Sequence, residues 1–243
     1  GLTPTFTSST PAVCTITSGG TLTFVSTGTC TINADQAGDA SYLAAPQVTN
    51  SFTVNAVVPG APTIGTATAG SAQASIAFTA PAFNGGSLIT GYTVTASPGG
   101  ASGNCAGPAA CAITVNGLTN GTAYTFTVTA TNAQGTSVAS AASNAVTPKG
   151  EQTITFNNPG AQNFGTTPTL TATSSAGAGY AVSFTSATAG VCTITTGGTL
   201  TFVTAGSCTI DADQPGDAAV NAATTVSQTF MVNAIVPSAP TIG

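Results

Sequence analysis

The chain has no histidine, no tryptophan and no arginine, and Lys149 is its only basic side chain. A general base near neutral pH needs histidine, or a carboxylate or lysine retuned by close neighbours. Here six carboxylates and one ammonium are spread over 243 residues, which excludes most acid–base mechanisms and leads us to expect no enzyme. Nucleic-acid binding is excluded more firmly, because phosphate contacts draw on clustered Lys and Arg. No run approaches the roughly 18 apolar residues of a membrane-spanning helix, so no membrane insertion is expected. No charged, apolar leader opens the sequence, but an opening inside a repeat gives that little weight. Charged residues make up only 3% of the chain, so solubility rests on Thr, Ser, Asn and Gly. Such a surface is indifferent to salt, and little like-charge repulsion opposes lateral packing.

What the chain does have is a long internal repeat. Residues 1–65 return without insertion or deletion as residues 179–243, at an offset of 178 fixed by Cys14 and Cys192, and about 40 of the 65 aligned pairs are identical. Self-similarity of this kind marks a tandem array. Residues 151–178, which open the second copy, have no counterpart ahead of Gly1. We therefore expect the first domain to be cut and the natural chain to continue at both ends.

The six cysteines fall as three local pairs, Cys14 with Cys30, Cys105 with Cys111, and Cys192 with Cys208. Without histidine or a Cys-x-x-Cys spacing to complete a zinc site, disulfides are the better reading than free or metal-bound thiols. Oxidised pairs place the chain outside the cytoplasm.

Apolar residues alternate with Thr or Ser in Thr21–Val25, Tyr124–Thr129 and Thr199–Val203, the period of a half-buried strand. Turns such as Ser18-Gly19-Gly20, Asn84-Gly85-Gly86 and Asn120-Gly121 punctuate the strands at β-sandwich spacing. No helical period appears. Pro-containing junctions at Val57–Pro62, Thr147–Gly150 and Ile235–Pro240 should be short and fairly stiff. The expected organisation is all-β: tandem sandwiches in a linear array, with a partial domain at 1–56, a middle domain at 57–148, a complete domain at 149–234, and at 235–243 a linker with the start of a further domain.

The middle segment resembles a fibronectin type III domain. It opens with Pro62-Thr63-Ile64-Gly65, continues through Ile89–Val94, and carries Gly117–Ala130. In that family the corresponding Leu and Tyr form a tyrosine corner, which implies that role for Leu118 and Tyr124. The family's early core Trp is absent, with Ile76 and Phe78 in its neighbourhood. The flanking segments resemble bacterial immunoglobulin-like repeats of large surface proteins, through Gln152–Phe156, Val182–Ser186, Gly206–Ile210 and Gln228–Val232. Related repeats often have small residues where this chain has its paired cysteines. The change occurs at both sites in both copies, as expected if the two sites touch.

The one concentration of ligand-type oxygens is Asp211, Asp213 and Asp217, echoed as Asn33, Asp35 and Asp39. Calcium, which takes six to eight oxygen ligands, is the candidate metal for these carboxylates; the alternative is a turn in which Asp caps its own backbone. No other cofactor is expected. The sequon Asn120-Gly121-Thr122 is compatible with N-glycosylation. Tyr42 and Phe83 lie near loops and are the aromatics expected at the surface. Together these features imply a non-catalytic stalk segment of an extracellular or cell-surface bacterial protein, an adhesin-type spacer whose partners are neighbouring domains of its own array. One alternative is a subunit of a filament or sheath that self-associates into a homopolymer; another is a glycan- or matrix-binding module.

Overall fold

A computed structural model describes residues 2–236. Of the linker and further domain expected at 235–243, only Ile235 and Val236 fall among the described residues. Among those residues there is no helix, and the strands form tandem β-sandwiches.

The first segment contributes β1 (Thr5–Ser8), β2 (Cys14–Ile16), β3 (Leu22–Phe24), β4 (Gly28–Asp35) and β5 (Val48–Val54). They make a three-stranded sheet ordered β1-β4-β5 and a β2-β3 hairpin.

The middle segment contributes β6 (Thr63–Gly70), β7 (Gln73–Thr79), β8 (Gly91–Ser97), β9 (Ser102–Ala106), β10 (Ile113–Asn116), β11 (Thr125–Asn132) and β12 (Gly135–Thr136). Two sheets result, β10-β7-β6 and β12-β11-β8-β9. Alternation sets their faces, because successive side chains on a strand point to opposite sides. Ala74, Ile76 and Phe78 of β7, Tyr92, Val94 and Ala96 of β8, and Phe126, Val128 and Ala130 of β11 are all buried, and their neighbours face out. Ile76 and Phe78 are both buried in this core, and Phe78 packs on Tyr92 with ring centroids 4.9 Å apart.

The last segment contributes β13 (Ile154–Phe156), β14 (Gln162–Asn163), β15 (Ala172–Ser174), β16 (Ser183–Ser186), β17 (Cys192–Ile194), β18 (Leu200–Phe202), β19 (Gly206–Asp213) and β20 (Val226–Asn233). Its main sheet runs β14-β20-β19-β16, faced by the β13-β15 and β17-β18 pairs. The core gathers Ile154, Phe156, Leu170, Phe184, Leu200, Phe202, Ile210, Phe230 and Val232 around a cystine. The repeat keeps register: Cys14 pairs with Phe24 as Cys192 pairs with Phe202, and Cys30 pairs with Phe52 as Cys208 pairs with Phe230.

The chain divides into two compact units. One holds the chain through Thr68 with Ser75–Asn116 and Thr125–Ala145; the other holds Ala69–Ala74, Gly117–Tyr124 and the chain from Val146 onward.

Candidate functional site

Four of the six cysteines lie where the hairpins meet the main sheets. Cys14, at the start of β2, is joined to Cys30 of β4 with Cα atoms 5.6 Å apart, and Cys192 of β17 to Cys208 of β19 at 5.8 Å. All four are fully buried. Ser186 and Thr188 place their hydroxyls 3.6 and 3.4 Å from the Cys192 sulfur. A cystine sulfur has no proton, so the Thr188 hydroxyl is the donor to it, while Ser186 donates its proton to the Cys192 carbonyl at 2.6 Å. Cys105 of β9 is joined to Cys111 at 6.7 Å, half-buried, closing a short loop.

Leu118 and Tyr124 are both buried, and the Thr119 N–H donates to the Tyr124 hydroxyl at 3.1 Å. The corner's hydroxyl thus accepts from the backbone. Tyr92 is a second buried tyrosine, its hydroxyl donating to the Pro108 carbonyl at 2.8 Å. Burial pushes its phenol pKa up.

The acidic residues are engaged separately. Asp211 accepts from Ser227 at 2.5 Å, Asp213 from the Thr225 hydroxyl, and Asp35 from Gln47 at 2.7 Å. Asp39 caps its own turn, taking the N–H groups of Ser41 and Tyr42 at 2.7 and 3.0 Å. Asp217 does the same with Ala219 and Val220 at 2.7 and 2.9 Å, and receives the Tyr180 hydroxyl at 3.0 Å. Asn33 accepts from Thr49 at 2.9 Å. Among the described residues no three His, Cys, Asp or Glu side chains converge as a metal site. The Asp217 carboxyl sits below its ordinary value, first through the Ala219 N–H, with Tyr180, Val220 and the Lys149 charge adding to it and burial opposing. Tyr180 is pushed up, by burial first and then by the Asp217 carboxylate.

Two junctions carry the densest polar contacts. In the first unit, the buried Asn132 side chain donates to the carbonyls of Val57 and Asn84 at 2.8 and 2.9 Å, and accepts from the Gln134 N–H at 2.8 Å. The Val57 N–H donates to Gly85 at 2.8 Å, and Gly60 to Phe83 at 2.9 Å. Gly85 is required: its φ is +76°, and a Cβ there would lie 2.0 Å from the Val57 carbonyl. In the second unit, Gly150 is held against the Asp217–Asn221 turn, its N–H donating to Ala219 at 2.7 Å and its carbonyl accepting from Asn221 at 2.8 Å. Lys149 donates to the Asp217 carbonyl at 2.9 Å, and Gly121 to Pro148 at 2.9 Å. The sequon residue Asn120 accepts from the Ala72 N–H at 2.8 Å.

Sequence reasoning missed Asn132, which looks like any strand-end asparagine. It also missed the buried pair Gln152 and Gln214, where the Gln152 amide donates to Gln214 and, at 2.8 Å, to the Asn221 carbonyl. A third omission had a visible signal: Ser137, Ser140 and Ser143 recur every three residues and bind β11. Tyr42 and Phe83 are exposed, as expected of loop aromatics.

The chain shares 25% identity with a crystal structure of titin domains, covering 51% of this chain and 41% of that one at a TM-score of 0.36. The twitchin kinase region from C. elegans is 28% identical over 37% of this chain and 17% of that one, at 0.33. Chicken CNTN1 FN1-FN3 domains are 14% identical over 72% and 67%, at 0.36. The chain thus spans less than half the length of the titin and twitchin structures it matches. No curated protein matches it in sequence. The fibronectin type III domain family matches residues 46–146, a span that starts ahead of β5 and ends just after the serine series.

Proposed function

We propose that the chain is a non-catalytic spacer, a stalk segment of a secreted or cell-surface bacterial repeat protein that holds other modules at a distance. The observation that carries this reading is the pair of junctions: each is closed by backbone hydrogen bonds and by a polar side chain, Asn132 in one and Lys149 in the other. A tether needing only reach would leave its linkers solvated. Here the linker backbone is satisfied by neighbouring protein groups, Asn132, Gly85 and Phe83 in one junction and Ala219, Asn221 and Gly121 in the other. Three cystines suit an oxidising exterior, and a surface nearly free of charge keeps its behaviour across salt conditions.

The test is length against copy number. Concatemers of one, two and three 178-residue periods, measured by small-angle scattering and electron microscopy, are expected to lengthen in proportion to the number of periods. A radius of gyration that grows only as that of a compact globule overturns the spacer reading.

A further inference from the structure

Asparagine followed by glycine occurs three times in the chain, at Asn84-Gly85, Asn116-Gly117 and Asn120-Gly121, all in the middle segment. The dipeptide carries its own reactivity. The glycine nitrogen is the nearest nucleophile to the asparagine carboxamide carbon, and with no Cβ beside it nothing hinders the backbone rotation that brings the two together. The chemistry open to the three sites is the same, so their surroundings decide which of them reacts.

Two of the three are held. At Asn84 the carboxamide oxygen accepts from the Gly86 N–H at 2.9 Å, and the carbonyl of the Asn84–Gly85 peptide accepts from Asn132 at 2.9 Å. The Gly85 carbonyl accepts from the Val57 N–H at 2.8 Å, and Gly85 is buried. The nitrogen that would have to swing is thus pinned from both sides. At Asn120 the nucleophile itself is engaged: the Gly121 N–H donates to the Pro148 carbonyl at 2.9 Å, while the Asn120 carboxamide oxygen accepts from the Ala72 N–H at 2.8 Å. A Cβ on Gly121 would lie 3.0 Å from the Ala219 side chain, so packing closes that turn as well.

Asn116-Gly117 is placed differently. Asn116 is the last residue of β10, at the edge of the β10-β7-β6 sheet, and both it and Gly117 are exposed. Gly117 has a φ of +75°, and a Cβ built on it would meet nothing within 4 Å. The turn stands in open space, followed by Leu118, whose N–H is fixed to the Ala72 carbonyl at 3.0 Å.

We propose that Asn116 is a site of self-modification, where the folded chain converts its amide to aspartate and isoaspartate. The Gly117 nitrogen gives its proton to solvent and bonds to the Asn116 Cγ; the Cγ–Nδ2 bond breaks, and ammonia leaves after taking a proton from water. Water then opens the resulting succinimide at either of its two carbonyl carbons, one route giving aspartate and the other isoaspartate. No electrons change hands, and water is the only co-reactant. The product adds one carboxylate to a chain of formal net charge −5, which makes it separable by charge. The inference stands apart from the spacer reading, since it concerns the chemistry of one turn and holds whether or not concatemers are extended.

The test ages the full oxidised chain in mildly alkaline buffer, with peptide mapping by electron-transfer fragmentation to tell aspartate from isoaspartate at each site. Asn116 is expected to convert at least about tenfold faster than Asn84 or Asn120, the factor set by local hydrogen bonds that must open first. In urea with reductant the three sites are expected to converge to within about threefold, because only local sequence then distinguishes them. Asn116→Gln, whose longer side chain must close a larger ring, changes an exposed residue and should remove most of the early charge gain seen on isoelectric focusing. Overturning results are conversion of Asn84 or Asn120 as fast as Asn116 in the folded chain, an Asn116 amide that persists until the chain unfolds, or an undiminished charge gain in Asn116→Gln. The same order and spread of rates in urea would assign the selectivity to sequence and equally refute the role given to the fold.

Discussion

Ser140 and Val128 exchange two hydrogen bonds in which a side chain stands in for a carbonyl: the Ser140 N–H donates to the Val128 carbonyl at 2.9 Å, and the Val128 N–H donates to Ser140 Oγ at 3.0 Å. Ser137 does the same with Ala130, and Ser143 with Phe126. Each hydroxyl then donates to the next residue's carbonyl, at 2.7–2.8 Å. Three residues thus lie opposite every two of β11, a series of regular bulges along one sheet edge. Serine suits this because its short hydroxyl accepts and donates at once. The irregular edge also offers no continuous ladder to a foreign strand.

Ser140→Ala should therefore leave the N–H of buried Val128 without an acceptor and lower stability by about 1–3 kcal/mol. Chemical denaturation of the oxidised chain measures it. A change within about 0.3 kcal/mol would mean that water satisfies the group.

The cystines should differ in worth and in access. Replacing Cys192 and Cys208 together by Ala, across a separation of 16, is expected to cost about 3 kcal/mol. Replacing Cys105 and Cys111, across 6, is expected to cost roughly 2 kcal/mol. Under mild reductant the half-buried Cys105–Cys111 pair should open first, because the other sulfurs are fully buried. Alkylation and mass spectrometry read the order, and simultaneous opening of all three would contradict it.

Asn132→Ala should loosen the first junction. It strips partners from the carbonyls of Val57 and Asn84 and from the Gln134 N–H, so a loss of about 1–3 kcal/mol is expected. The sharper readout is local: the Val57 amide, bonded to Gly85, should exchange faster than in the parent while core amides of β8 keep their order. Unchanged exchange at Val57 would refute the clamp.

How far the sequence foretold these features depends on the kind of signal. Alternation of Thr with apolar residues announced the faces of β11 and β18, because period two is a property of each strand alone. Local cysteine spacing and the Leu118–Tyr124 pattern pointed to groups that the fold does bring together. The clamps were hidden, since Asn132 and Val57 are 75 residues apart and nothing local in either marks the contact. The Ser-x-x-Ser-x-x-Ser spacing was visible but fits neither a period of two nor one of 3.6, so it did not read as an element. The acidic residues invite a metal in sequence, yet nearby backbone and hydroxyl donors occupy them one by one.

Asp217 links acidity to the second junction. Its folded-state pKa is lowered, so the stability it adds is present above the ordinary carboxylate range and is lost as pH falls through the lowered value. Asp217→Asn should therefore melt below the parent at neutral pH, with the gap closing in strong acid. A gap independent of pH would mean that the carboxylate's charge contributes nothing.

The most direct measurement of the mechanical claim is single-molecule pulling of the chain with and without reductant. In the oxidised chain, unfolding the last sandwich should release a contour length shorter by about 5 nm, the extended length of the 16-residue span locked between Cys192 and Cys208. Reduction should restore that length. Equal increments in both conditions, or extension with no resolved unfolding step, would contradict a spacer built of cystine-stapled sandwiches.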